Sequence, residues 1–324
     1  MRRASALVII PLLAAAAVAG CSSSSSHSSA SSPASSSATT NQSVKVTGAF
    51  GASPKVLIPK VTPGANLYTK TLIKGTGQKL TAADSLIGNF VLYDWSGKTA
   101  KLVGSTYTGG GPTLFSGQML PGLSTALIGQ PTGSRVIAVI PPKDGFGTAG
   151  NSSIGVKGTD TLVFVIDMQS TISNKATAVG TQVSNGGGAL PTVTEPAGQA
   201  ATIKIPATAA PKALTTKTLV QGTGAKVVSG DYVVVQYTGV IWRTGKVFDS
   251  SWSRSEPFAF NVGAGQVITG WDDGLVGQTV GSRVMLVIPP ADGYGSAGAS
   301  QAGIKGTDTL VFVTDILGAY TPTK

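Results

Sequence analysis

The side chains that most often carry out proton transfer or nucleophilic attack are scarce in this sequence. Its single histidine, His27, and its single cysteine, Cys21, both lie within the first 27 of 324 residues. The rest of the chain therefore cannot assemble a Ser-His-Asp triad, a thiol nucleophile or a histidine-cysteine zinc cluster. Chemistry in that part must come from aromatic rings, hydroxyls, carboxylates and backbone groups.

The elements that would position such groups occur twice, because the sequence contains an internal repeat. The string GTDTLVFV occupies residues 158–165 and again 306–313. IPPKDGFG at 140–147 matches IPPADGYG at 288–295 with the same offset. Self-similarity at a fixed offset indicates two copies of one structural unit.

The repeat sets the expected domain boundaries. We expect a first domain at 44–172 and a second domain at 191–324. The segment 173–190 between them is rich in glycine and threonine, which predicts a linker. Charged residues make up only 12% of the chain, while glycine, valine and threonine are abundant, which favours β-structure with tight turns.

The pattern of apolar residues in the second copy predicts four strands and one helix. Runs of β-branched and aromatic residues predict strands, at 232–237, 258–262, 284–288 and 310–316. Between them, Val267, Ile268, Trp271 and Leu275 are spaced as on one face of a short helix. One helix against an antiparallel sheet is an α+β unit.

The second copy resembles the FKBP family of peptidyl-prolyl cis/trans isomerases. The matching motifs are QYTG at 236–239, GKVFDSS at 245–251, GQVI at 265–268, GW at 270–271, IPP at 288–290, YG at 294–295 and LVF at 310–312, together with Arg254, Pro257, Phe258 and Phe260. This resemblance implies two tandem FKBP-like domains, each a curved antiparallel β-sheet wrapped on one short α-helix.

The resemblance also implies roles for individual residues of the second copy. Tyr237, Asp249 and Tyr294 would be catalytic, with Asp249 accepting a hydrogen bond from Tyr237 and pairing with Arg254. Trp271 would form the floor of a pocket, and the backbone N–H of Ile268 and the hydroxyl of Tyr294 would hold substrate carbonyls. The remaining substrate-binding residues would be Phe248, Arg254, Phe258, Val267, Ile304 and Phe312.

The implied reaction is rotation about Xaa-Pro bonds and needs no proton transfer. The planar amide resists rotation with a barrier of about 18–20 kcal/mol, because resonance stabilises it. A dry aromatic pocket favours the twisted, less charge-separated amide, so that catalysis is differential binding. We expect no cofactor and no metal, and the implied partners are proline-containing polypeptides and macrolide inhibitors.

The first copy keeps the framework and loses the polar groups. Phe90 takes the place of Tyr237, and Phe146 that of Tyr294, while gap placement puts Val103 near Asp249 and Leu123 near Trp271. We therefore expect a degenerate, non-catalytic FKBP-like domain that binds polypeptide or spaces the active domain. The second copy itself departs from the family at 296–306, which lacks a histidine and proline pair and puts substrate preference in doubt.

The N-terminus predicts export and a lipid anchor. Arg2 and Arg3 precede an apolar run, and VAGC at 18–21 resembles a bacterial lipobox. We expect a signal peptide at 1–20, lipidation at Cys21, a disordered Ser-rich tether at 21–43, and a location at the extracytoplasmic face of the cell membrane. The alternative is an ordinary signal peptide that happens to contain a cysteine.

Three functions remain open at this point. The first is an isomerase that acts on exported or surface polypeptides. The second is a non-catalytic chaperone or peptide-binding surface lipoprotein, and the third is an adhesin. Nucleic-acid binding is not expected despite the net charge of +10, because lysines are spread singly instead of forming a basic patch.

Overall fold

The computed structural model describes residues 40–117 and 119–322. The expected signal peptide 1–20, the lipidation site Cys21 and most of the expected tether 21–43 lie outside the described residues. Within the described ranges, none of the helices has the length and apolar character needed to cross a membrane.

Each copy of the repeat folds into an antiparallel sheet with a short helix. The strands of the first copy are β1 (Lys45–Thr47), β2 (Lys55–Leu57), β3 (Tyr68–Ile73), β4 (Asp84–Ser96), β5 (Thr99–Ser105), β6 (Thr113–Phe115), β7 (Arg135–Ile140) and β8 (Thr161–Ser173). Those that follow are β9 (Gly180–Gln182), β10 (Thr192–Thr194), β11 (Thr202–Lys204), β12 (Thr215–Gly222), β13 (Tyr232–Ile241), β14 (Val247–Ser250), β15 (Phe258–Asn261), β16 (Arg283–Ile288) and β17 (Leu310–Tyr320). The helices are α1 (Pro121–Leu127) and α2 (Thr269–Leu275).

The two main sheets share one topology, except that the second has one additional edge strand, β9. The first has the order β3-β7-β8-β4-β5, with β6 also paired to β4. The second has the order β14-β13-β17-β16-β12-β9, with β15 also paired to β13. Register shifts interrupt β13 between Val234 and Val235, and again between Gly239 and Val240. Such bulges bend a strand and increase its twist, which curves the sheet around its helix. The α+β fold expected from the sequence is thus confirmed.

One face of each sheet packs against its helix. In the second domain Trp271 and Leu275 of α2 join Leu286 and Ile288 of β16 in a single core. The helix is shorter than the apolar spacing predicts, because Ile268 has extended backbone angles and the helix starts only at Thr269. Val267 and Ile268 consequently lie in the segment that enters the helix, next to the concave face of the sheet.

The opposite face of each sheet is covered by a two-stranded hairpin that precedes the domain. Val46 and Val56 of the β1-β2 hairpin pack on the core of the first sheet. Val193 and Ile203 of the β10-β11 hairpin do the same on the second. Both faces of the central strands are therefore buried, which explains why β7 has no exposed residue.

A buried ion pair links each sheet to its hairpin. Arg135 Nε lies 2.6 Å from Asp167 Oδ1, and both side chains are almost fully buried. The same guanidinium donates to the carbonyl oxygens of Gly48 and Ala52 in the hairpin. In the second domain Arg283 likewise pairs with Asp315, and it reaches the hairpin through Glu195, the residue after β10, at 2.8 Å. The repeat therefore preserves a polar anchor as well as the apolar core.

The folded part extends beyond the boundaries expected from the sequence. Asn41, within the expected tether, is buried and bonds through its side chain to the backbone of Gly64 and Asn66. The expected linker 173–190 contributes β9 to the second sheet. Both differences arise because short polar segments gain order from contacts with residues distant in sequence.

The two domains are in contact with each other. Ile87 and Ile172 of the first sheet share a buried apolar cluster with Val234 of the second. The hydroxyls of Ser170 and Tyr320 are 2.8 Å apart across this contact. The clustered residues bury apolar surface from both domains, so the domains pack against each other in addition to being covalently joined.

Candidate functional site

A single cavity on the concave side of the second sheet collects most of the predicted site residues. Its volume is about 540 Å³. Its lining consists of Tyr237, Phe248, Asp249, Phe258, Gln266, Val267, Ile268, Thr269, Trp271, Gly293, Tyr294 and Phe312. These residues come from β13, β14, β15, the entry to α2, the segment after β16, and β17. The fold therefore brings together side chains from six separate stretches of sequence.

The indole of Trp271 lies among four aromatic rings. It meets Tyr237 and Phe312 edge to face, each with ring centroids 5.1 Å apart. Phe258 and Phe260 contact it from the side of β15. The side chain is buried, and within the described ranges its Nε1 has no hydrogen-bond partner. Edge-to-face packing of this kind fixes ring orientations and makes a rigid apolar floor.

A polar network closes one wall of the cavity. The Tyr237 hydroxyl donates to Asp249 Oδ2 and accepts from Arg254 Nη2 at 2.7 Å. Arg254 Nη1 donates to Asp249 Oδ1 at 2.6 Å, and the guanidinium carbon lies 5.7 Å from the centre of the Tyr237 ring. Burial, together with the hydrogen bond to Asp249, raises the pKa of the Tyr237 hydroxyl well above its usual range. The phenol therefore stays protonated and acts as an oriented hydrogen-bond donor.

Two further groups are available to bind carbonyl oxygens. No described residue accepts a hydrogen bond from the Ile268 N–H, which lies at the start of α2. The side chain of Tyr294 is partly exposed at the rim of the cavity. Its partial burial, followed by the charge of Asp249, raises the pKa of its hydroxyl. Both groups are neutral donors at physiological pH, which suits recognition of amide carbonyls.

The turn that leads into α2 is fixed from within the helix. The Asp272 carboxylate accepts hydrogen bonds from the N–H groups of Gly263 at 2.7 Å and Gly265 at 2.9 Å. Both glycines have positive φ, which side chains rarely tolerate. Gln266 Oε1 accepts from the Asn261 N–H at 2.9 Å. These bonds hold the segment 266–268 against the cavity and give Asp272 a structural role.

The structure does not bring every predicted residue to the cavity surface. Ile304 is buried in the core of the second domain and is not among the lining residues. Arg254 reaches the site only through Tyr237 and Asp249. Conversely, Gln266, Thr269 and Gly293 line the cavity without having been predicted. Each is a direct neighbour of a predicted residue, and that adjacency was the available signal.

The equivalent positions of the first domain carry different side chains. In both domains the strand pairing is the same, and Gly104 stands opposite Leu92 as Asp249 stands opposite Gly239. The sequence-based placement puts Val103 near Asp249, whereas the pairing puts its neighbour Gly104 there, because the connection between the two strands is two residues longer in the first domain. Leu123 occupies the buried position on α1 that Trp271 has on α2.

The first domain has an apolar interior where the second has polar groups. Phe90 packs on Phe115 and Phe164 and has no hydroxyl to donate. Phe146 packs against the same core at the position of Tyr294. Thr113 pairs with β4 where Phe258 pairs with β13. The first domain therefore lacks the hydroxyl, carboxylate and indole groups that define the cavity of the second.

A smaller cavity of about 240 Å³ lies beside the β10-β11 hairpin. There, Glu195 Oε1 lies 2.8 Å from Arg283 Nη2, next to the Arg283–Asp315 pair. Burial, followed by the neighbouring charge of Asp315, raises the pKa of Glu195 to about 9 against the opposing effect of Arg283. One guanidinium thus lies between two acidic side chains, Glu195 and Asp315.

Comparison with known proteins points to one family. The family model described as FKBP-type peptidyl-prolyl cis-trans isomerase matches residues 83–169 and 224–317, together more than half of the chain. FK506-binding protein 2B of Rhizopus delemar is 54% identical over 89 residues, which is 28% of this chain and 42% of that protein. FK506-binding protein of Streptomyces anulatus is 44% identical over 107 residues, or 33% of this chain and 86% of that protein.

Solved structures with similar sequence include FkpA from Escherichia coli. The match is 36% identical and covers 34% of this chain and 49% of that chain, with a TM-score of 0.31. The chain thus spans about half the length of some of the relatives that it matches and most of the length of others.

Proposed function

Because this chain belongs to the family of FKBP-type peptidyl-prolyl cis-trans isomerases, whose model it matches twice, we propose that it isomerises Xaa-Pro bonds in the cavity of its second domain. The observation that carries the proposal is the meeting of Trp271, Tyr237 and Phe312 in a floor and wall of rigid rings. The Ile268 N–H, from which no described residue accepts a hydrogen bond, and the Tyr294 hydroxyl supply donors at the edge of the same cavity.

The geometry supports a mechanism based on binding alone. A proline ring seated on the indole of Trp271 would place its imide bond in a space from which water is largely excluded. The flat imide loses the solvation of its charge-separated form there, so the twisted imide is the better ligand. The donors Ile268 N–H and Tyr294 Oη would hold the flanking carbonyls while the bond rotates. Binding energy of this kind lowers the barrier without a nucleophile or a base.

We propose that activity resides in the second domain. The argument is the replacement of the four polar or indole positions in the first domain, where Phe90, Gly104, Leu123 and Phe146 stand for Tyr237, Asp249, Trp271 and Tyr294. The first domain keeps an apolar interior that suits binding or packing more than turnover. The substrates would be proline-containing polypeptides, and the same cavity would take a macrolide of the FK506 type, as the names of the relatives suggest.

A charge-removing substitution tests both parts of the proposal. In the full chain, Asp249→Ala is expected to lower kcat/KM for a proline-containing peptide about tenfold, because hydrogen bonds to charged groups contribute about 1.5–3 kcal/mol. The measurement is a protease-coupled isomerisation assay. Asp273→Ala is the matched control, since Asp273 is exposed on α2 and outside the cavity lining. A wild-type chain that binds the peptide without turning it over would favour a chaperone instead.

We further propose that the protein is exported and held at the outer face of the cell membrane by lipid on Cys21. The support is the VAGC motif at 18–21 and the serine-rich stretch that follows. The clients would then be exported or surface polypeptides. In a bacterial host, Cys21→Ser is expected to move the protein from the membrane fraction to the soluble fraction, as judged by fractionation and immunoblotting. Unchanged membrane association would contradict lipid anchoring.

A further inference from the structure

The segment that carries Arg254 lies between the cavity and the first domain. It consists of a 3-10 turn, Ser251–Arg254, followed by residues 255–257 and then β15, whose first residue is Phe258. Ser255 is the one non-glycine residue with positive φ in the described ranges, at 55°. A side chain in this region costs about 1 kcal/mol or more, so the conformation persists only where surrounding contacts hold it.

The start of this segment is linked to the first domain by a series of buried and partly buried hydrogen bonds. The Ser251 hydroxyl donates to Gln236 Oε1 and accepts from the Tyr237 N–H at 2.8 Å. Gln236 Nε2 in turn donates to the Asn174 carbonyl at 2.9 Å. Asn174 is itself held by the first domain, because Ser85 donates to its side chain at 2.6 Å. A continuous chain of polar contacts thus runs from β4 to the backbone of Tyr237.

The end of the segment is linked to the first domain by a direct contact. The Ser116 hydroxyl, one residue after β6, donates to Glu256 Oε2 at 2.9 Å. The neighbouring Gly117 has a φ of 51°, and a Cβ there would lie 2.5 Å from the same carboxylate oxygen. A side chain at this position would require the Glu256 carboxylate to move, so the glycine lets that carboxylate stay in contact with Ser116.

An apolar contact beside these bonds also joins the two domains. Leu114 of β6 and Ala259 of β15 join the cluster that contains Ile87 and Val234. The Leu114 N–H donates to the Tyr232 hydroxyl at 3.0 Å. The first domain therefore packs along β15, the strand that begins with the cavity residue Phe258.

We propose that the first domain is a positioning element of the catalytic site in the second domain, acting through Ser116 and Glu256 on the segment that holds Arg254. This inference rests on the proposed isomerase function. The half-exposed Arg254–Asp249 pair would be loosely ordered on its own, because exposed ion pairs gain little net free energy. Docking of the first domain restricts the segment on both sides, so that Arg254 stays on Tyr237 and Asp249. A domain without catalytic groups of its own thereby contributes to turnover.

The test uses variants of the full chain in the isomerisation assay. Ser116→Ala is expected to lower kcat/KM about three- to tenfold, less than the full contribution of a hydrogen bond to a charged group, because Ser116 acts on the site only through Glu256 and Arg254. Ser116→Thr keeps the hydroxyl and is expected to restore activity. The double variant Ser116→Ala/Glu256→Ala is expected to have the same kcat/KM as Glu256→Ala alone, because each substitution removes the same interaction.

The matched control removes a different bond across the same domain contact. Ser170→Ala loses the hydrogen bond with Tyr320, which involves no residue of 251–257, and is expected to keep wild-type activity. Equal losses of kcat/KM in Ser170→Ala and Ser116→Ala would overturn the proposal, because any weakening of the domain contact would then have the same effect. Wild-type activity in Ser116→Ala would overturn it outright.

A second measurement is independent of turnover. Amide hydrogen exchange of the peptide covering 252–257 is expected to become faster in Ser116→Ala and to return to the wild-type rate in Ser116→Thr. An unchanged exchange rate in Ser116→Ala would show that Ser116 does not hold this segment. An inactive wild type would refute the isomerase function alone, since the exchange experiment still decides whether the first domain holds the segment.

Discussion

Trp271→Leu is expected to lower kcat/KM for isomerisation by at least about tenfold while the second domain stays folded. Leucine is the residue that the first domain carries at this position, so the helix and the sheet accommodate it. The change removes the surface on which Tyr237 and Phe312 rest edge to face, and it opens the floor of the cavity to water. A tenfold loss corresponds to about 1.4 kcal/mol of transition-state binding, which one ring in a dry pocket readily supplies.

A tryptophan on the other face of the same sheet provides the control. Trp242 is equally buried and packs with Met285 and Val287 beneath the β10-β11 hairpin. Trp242→Leu is therefore expected to lower the free energy of unfolding by about 1–3 kcal/mol and to leave kcat/KM unchanged. Circular dichroism establishes that both variants are folded. Parallel losses of activity in the two variants would mean that Trp271 acts only through stability.

Arg135→Met is expected to destabilise the first domain by about 3–5 kcal/mol. The substitution leaves the fully buried Asp167 carboxylate without its cation and leaves the hairpin carbonyls of Gly48 and Ala52 without a donor. Whole domains are stable by only about 5–15 kcal/mol, so this loss is large. Urea denaturation followed by circular dichroism measures it as a lower midpoint.

Two further variants separate the cause. The Arg254–Asp249 pair is exposed on both sides, with side chains 42% and 40% accessible, so Arg254→Met is expected to change the midpoint little. The double variant Arg135→Met/Asp167→Leu removes both charges and is expected to recover part of the loss, because no unpaired charge remains buried. A double variant as unstable as the single one would show that the hairpin contacts dominate.

The repeat and the fold class could be predicted because they depend on local patterns, whereas most of the cavity residues followed from the resemblance of short motifs to the FKBP family. The motifs around Tyr237 and Trp271 lie on a strand and a helix that their apolar spacing predicts, whereas those around Phe248 and Val267 are recognised only as motifs. The aromatic rings then meet because the curvature of the sheet is a property of the fold. Ile304 shows the limit, since its position in the core depends on the path of the loop 296–306.

Other features could not be predicted because they depend on contacts between distant residues. The strands of the two hairpins are three residues long, too short for an alternating pattern to distinguish them from loops. The burial of Asn41 depends on Gly64 and Asn66, and β9 exists only through its pairing with β12. The contact of Ser116 with Glu256 joins residues of different domains, and neither belongs to a motif.

The hairpins decide where this protein can be dissected. A fragment that starts at 224, where the second family match begins, would expose Val240, Met285 and Val311 to solvent, because their cover is removed. A fragment that starts at 191 keeps that cover but loses β9 and the hydrogen bond from the Ala178 N–H to Asp315. An autonomous catalytic piece must therefore begin upstream of Ala178, within the stretch that joins the two domains.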